Sequence, residues 1–174
     1  GTPSGNVTVS DGTDSCFLAL AGGAGSCVLT STTAGAKTLT ATYAGTANYT
    51  GSASSGTAHT VNEASTVLQI SGDAPDPSVT GEAVTVSWNT IIVVSPGSGT
   101  PTGLVTVSDG SGASCSAALA AGSCSLTLPL AGSRTLTATY AGDANYSTSA
   151  SAGSSLTVSG AATTTAITAH TPNP

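Results

Sequence analysis

The sequence reads TLTATYAGTANYTGSAS at 38–54 and TLTATYAGDANYSTSAS at 135–151. The same 97-residue spacing pairs Cys27 with Cys124, Val61 with Val158 and Ile70 with Ile167. Upstream, GTPSGNVTVSDG at 1–12 matches GTPTGLVTVSDG at 99–110, and Cys16 matches Cys115. The register drifts by two residues between Cys16 and Cys27 and is otherwise nearly fixed. A repeat of this length exceeds one solenoid turn and fits one small domain. The phase of the repeat predicts three pieces. Residues 1–62 form a domain without its first strands, 63–160 a complete domain, and 161–174 the opening strand of a following repeat. The stretch SVTGEAVTVSWNTIIVVSPGS at 78–98 occurs only once. Either the sequence is taken from a longer array, or a neighbouring chain supplies the missing strands.

Within each copy the apolar residues alternate with period two, as on half-buried strands. Val84, Val86 and Trp88 share one face of EAVTVSWNT, and Leu136, Ala138 and Tyr140 share one face of TLTATY. Tyr43 takes the place of Tyr140 in the first copy. Trp88, Tyr43 and Tyr140 are therefore predicted core residues. Turn signals such as Asp-Gly at 11–12 and 109–110 separate the runs. No stretch shows helical spacing with caps. About seven short strands per copy indicate an all-β fold, a two-sheet sandwich repeated in tandem.

Composition narrows the partners. Lys37 and Arg134 are the only basic residues among 174, and the net charge is −6. Neither phosphate backbones nor anionic lipids can be neutralised by such a chain. No apolar run approaches the roughly 20 residues of a membrane helix. The acids and the two histidines are spread along the copies, and neither histidine recurs. A catalytic constellation needs convergent groups, so no catalytic residue and no cofactor is predicted. Lys37 is also the only lysine, so the complete copy cannot form an intramolecular Lys–Asn isopeptide bond. Asp73 and Asp76 in DAPDP could offer oxygens to calcium, yet the next copy reads HTPNP; solvated turn carboxylates explain them, and no metal site is predicted.

Four cysteines occur, two per copy. One pair per copy favours Cys16–Cys27 and Cys115–Cys124 disulfides across a hairpin, over free thiols or metal ligands. A loop this short contributes about 3 kcal/mol by the chain-entropy argument, and disulfides imply an oxidising compartment. Asn6, Asn48 and Asn145 head N-x-Ser/Thr triplets and are possible glycosylation sites.

The order PTGLVTVSDG, then TLTATYAGDANY, then SLTV is similar to the bacterial Ig-like repeats of the group 3 type. The resemblance covers 99–158 and 1–61, and SVTGEAVTV fits the family's opening strands. YAGDANY is its most specific piece; Thr46 stands where the second copy has Asp143, which argues against an essential charge there. The resemblance implies immunoglobulin-like sandwiches in a secreted or cell-surface protein. It brings no catalytic residue and no ligand. Two roles follow as expectations. One is a structural repeat of an extracellular fibre or stalk, partnered by neighbouring repeats or copies of itself. The other is a spacer in a larger adhesin or secreted enzyme whose active part lies elsewhere.

Overall fold

Residues alternating Val/Leu with Thr/Ser form the strands, and glycine turns end them. The computed structural model describes residues 1–89 and 91–172. The chain divides into two units: Gly1–Ala64 with Ala144–Ser147, and Ser65–Asp143 with Thr148–Pro174. Unit 1 carries β1 (Asn6–Ser10), β2 (Ser15–Ala19), β3 (Gly35–Tyr43), β4 (Ser52–Ala53) and β5 (Thr57–Val61). Unit 2 carries β6 (Thr66–Val67), β7 (Ile70–Ala74), β8 (Ser78–Val79), β9 (Ala83–Trp88), β10 (Ile92–Val93) and β11 (Leu104–Ser108). It continues with β12 (Ser114–Ala118), β13 (Ser123–Thr127), β14 (Gly132–Tyr140), β15 (Ser149–Ala150) and β16 (Ser154–Ser159). The run TIIVVSP gives strand only at β10, and Thr90 lies outside the described residues.

Unit 2 is a sandwich. One sheet runs β12-β11-β14-β16-β8, with β15 on β14; the other runs β13-β9-β7. A two-stranded pair, β10-β6, stands beside them. The opening segment changes sheet at Pro75 and Pro77: β7 pairs antiparallel with β9, and β8 pairs parallel with β16. Proline has no N–H to offer a ladder, which suits it to this crossing. Inward side chains from both sheets are buried: Val84, Val86 and Trp88 on β9, Leu126 on β13, and Val105, Val107, Leu136, Tyr140, Leu156 and Val158 opposite. Each such side chain contributes about 1.5–3 kcal/mol by leaving water. Trp88, on the central strand of its sheet, donates its Nε1–H to the Leu119 carbonyl at 3.1 Å. Tyr140 donates its hydroxyl hydrogen to the Thr102 carbonyl at 2.6 Å.

The second cysteine pair does more than cross a hairpin. Cys115 lies on β12 and Cys124 on β13, which belong to different sheets. A single 3-10 turn, Leu119–Ala121, carries the chain between them and closes at Gly122 with φ 71°. The bond therefore staples the two sheets at one edge, with the Cα atoms 5.9 Å apart. The expected hairpin is a sheet crossover because β13 takes its hydrogen bonds from β9, not from β12.

Unit 1 repeats one sheet only, with β1 between β2 and β3, and β4 and β5 on β3. Its register copies unit 2: Val7 faces Tyr43 and Val9 faces Ala41, as Val105 faces Tyr140 and Val107 faces Ala138. Residues 26–30, the counterpart of β13, form no strand. Among the described residues no strand pairs with them. Within residues 1–64 only Asp11 is buried. Tyr43, expected in a core, is half-buried for this reason, although its hydroxyl still donates to the Ser4 carbonyl at 2.7 Å. Cys16 and Cys27 are bonded, with Cα atoms 6.0 Å apart, and Cys27 lies outside any strand. Residues 161–172 are exposed and form no strand; β7, their counterpart in the repeat, is a strand because it pairs with β9.

Trp88 is the only tryptophan, so its emission reports unit 2 alone. Replacing Cys115 and Cys124 together by serine lowers the urea-unfolding free energy of unit 2 by about 3 kcal/mol. A loss under about 1 kcal/mol would contradict a staple between sheets. By the same readout, Ser78→Ala raises stability by about 1 kcal/mol. Ser78 is fully buried and its hydroxyl has no hydrogen-bond partner among the described residues; a loss on substitution would show that the hydroxyl is satisfied.

Candidate functional site

Several carboxylates of both units fasten turns. Asp11 Oδ1 accepts the Thr13 and Asp14 amides at 2.8 and 2.6 Å, and its Oδ2 accepts the Ser31 hydroxyl at 2.6 Å. Asp14 accepts the Thr32 amide at 2.7 Å. Lys37 Nζ donates to Thr33 and Thr13 hydroxyls. These contacts tie residues 31–33 to the β1–β2 turn. In unit 2 the counterpart of Ser31 is Leu128, whose side chain is fully buried and whose carbonyl accepts the Gly81 amide at 3.0 Å. Asp109 Oδ1 holds its own turn through the Ser111 and Ala113 amides. Asp143 accepts both the amide and the hydroxyl of Thr102 at 2.8 Å. Asp143 therefore fastens the start of β11, and Thr46 in the first copy shows that the fold tolerates its loss.

Two carboxyls are displaced from the usual range. Hydrogen bonds from Ser31, Asp14 and Thr13 hold Asp11 at about 2. Partial burial, and the neighbouring Asp76 carboxylate, push Asp73 upward. Asp76 Oδ1 accepts the Thr157 amide at 3.1 Å. Calcium takes six to eight oxygens; among the described residues no three His, Cys, Asp or Glu side chains gather at one point.

The remaining feature is the open face of unit 1. Half-buried Val7, Val9, Leu39, Ala41 and Tyr43 occupy the sheet positions that unit 2 buries. A groove of about 360 Å³ lies on this unit, lined by Pro3, Val7, Leu20, Tyr43, Tyr49 and Ser52 among others. The backbone is tight beside it. A Cβ on Gly45, whose φ is 84°, would come within 2.8 Å of the Tyr49 carbonyl. Of the sequence-predicted sites, Asn6 and Asn48 are exposed and Asn145 is half-buried. Asn48 sits in the turn closed by reciprocal Thr46–Tyr49 backbone bonds. The groove itself escaped sequence reasoning. Its signal was the single occurrence of 78–98, which showed that strands were missing but not which residues stood uncovered.

A family profile, the bacterial Ig-like domain (group 3), matches residues 71–159, more than half of the chain. The chain belongs to this Ig-like family. The two-sheet sandwich of unit 2 is the fold expected of such a domain. A comparison with curated proteins found no match. Among solved structures, the fibronectin(III)-like modules of CbhA from Clostridium thermocellum align at 17% identity, over 97% of this chain and 85% of that one, with a TM-score of 0.43. A TM-score of that size carries no argument about function. Among the described residues of the Ig-like chain, no helix is long and apolar enough to cross a membrane.

Asp11 supplies a test of the turn geometry. Its folded pKa lies below the ordinary 3.8, so folding favours the charged form. That contribution is complete above about pH 4 and is lost as the pH falls through about 2. A carboxyl-carbon NMR titration should give a midpoint near 2, with the Thr13 and Asp14 amides shifting along the same curve. A midpoint near 3.8 would remove the proposed clasp.

Proposed function

We propose that the chain is a non-catalytic structural repeat of an extracellular fibre or surface stalk, built from Ig-like units in tandem. One observation carries this reading. Of the eight acidic residues, seven accept hydrogen bonds inside the fold: Asp11, Asp14, Asp73, Asp76, Glu82, Asp109 and Asp143. Groups that a catalytic or metal site would recruit are spent on turns and strand edges. The two disulfides fit an oxidising compartment outside the cell. The repeat supports the same reading, since copying a self-sufficient sandwich lengthens a rod without altering its chemistry.

Electron microscopy of the native protein, prepared without reductant, tests the proposal. Filaments or rods with a regular axial repeat are expected. Short particles attached to a larger catalytic or ligand-binding body would instead make the chain a spacer. An activity that maps to residues 1–172 alone would overturn the structural reading.

A further inference from the structure

The two sides of the unit 2 sandwich end differently. On one side the edge strands are β7 and β8. β7 carries Asp73 and a bulge between Ile70 and Gly72. β8 is two residues long, and Pro75 and Pro77 precede it. Carboxylates plug the amides there. Glu82 Oε2 accepts the Val79 amide at 2.8 Å, and Asp76 Oδ1 accepts the Thr157 amide at 3.1 Å. Charge, proline, bulges and short strands keep a sheet edge from pairing with other chains.

On the other side the edge strands are β12 and β13. Neither carries a charge, a proline or a bulge, and no charged residue occurs between Asp109 and Arg134. The backbone of β12 is only half engaged. The Leu119 amide donates to the Gly103 carbonyl, and the Asp109 amide donates to the Ala113 carbonyl. Bonded pairs alternate along an antiparallel ladder, so Cys115 and Ala117 turn their backbone groups to β11. Those of Ser114, Ser116 and Ala118 turn the other way, and among the described residues no strand meets them. All three residues are exposed. The Cys115–Cys124 bond ties β12 to β13 and holds the open edge in place. On β13, Ser123 is half-buried, so β12 is the more accessible of the two edges.

We infer that the free edge of β12 pairs antiparallel with the β12 edge of a second copy of this chain, about a two-fold axis at Ser116. Such an edge is complementary to itself. Ser116 then stands opposite its own copy and Ser114 opposite Ala118, and these residues exchange about six backbone bonds. Their side chains are small and uncharged, so nothing blocks the approach. Asp73, Asp76 and Glu82 sit at the far edge of each copy, which keeps these carboxylates well apart. This inference goes beyond the stalk reading and does not rest on it, because it concerns lateral pairing of one strand.

The test uses the full chain, followed by sedimentation velocity up to about 1 mM, the range of a weak complex, and by amide hydrogen exchange. Dimers are expected, with the Ser114, Ser116 and Ala118 amides gaining protection as concentration rises. Ser116→Lys and Ser116→Glu each set like charges face to face at the axis, and each should weaken association about fivefold or more. Mixed together, the two variants should pair at least as tightly as the unsubstituted chain. Trp88 emission checks that unit 2 stays folded in each. If either substitution unfolds unit 2, the protection pattern of the unsubstituted chain decides the question alone. A chain that stays monomeric throughout would overturn the inference. So would association that protects Ser123, Ser125 and Thr127 of β13 or other amides instead, or two folded charge variants that fail to pair.

Discussion

The pairing of β9 with β13 decides how much of the structure exists. A β-strand edge is a row of donors and acceptors that must find partners once buried. In unit 2, β9 meets those of β13 on one side and those of β7 on the other. Its inward Val84, Val86 and Trp88 then close the space against the larger sheet. In unit 1, among the described residues, no strand pairs with residues 26–30. The β13 counterpart stays irregular, and the whole inner face remains half-open. The strands the two units share keep the same register, Val7 facing Tyr43 as Val105 faces Tyr140.

The side chains record the same difference. Where unit 2 has a buried Leu128, unit 1 has Ser31 held by the Asp11 carboxylate. In unit 1 Asp14 accepts the Thr32 amide and hydroxyl, and Lys37 donates to the Thr33 hydroxyl. Asp143 and Thr46 show the converse: a carboxylate that fastens β11 in one copy is dispensable in the other.

Much of the architecture was legible in the sequence. Period-two alternation identified the strand faces, and Leu136, Ala138 and Tyr140 point inward as read. The turn residues located the strand ends. The alternation of SCSAALAAGSCSLT, by contrast, predicts a hairpin that the fold does not form. Adjacent strands joined by a short turn look alike in sequence whether they pair with each other or part to different sheets. Only the competition of β9 for β13 separates the cases, and that is a contact between residues about 40 apart in the chain. The match of Tyr43 to Tyr140 predicts a core position, yet Tyr43 is half-buried. Periodicity states which way a side chain faces but not whether anything stands opposite.

The parallel pairing of β8 with β16 has a mechanical consequence. Val158 lies beside Ser78 and Ser159 beside Val79, and the Thr80 amide and hydroxyl both donate to the Ser159 carbonyl. The chain enters this pair from the start of β8 and leaves it from the end of β16. Tension that reaches the start of β8 and the end of β16 drags the two strands past each other along their length. The bonds between them are loaded together, in shear, and must fail together before these two strands part. An antiparallel pair in that place would be peeled open one bond at a time.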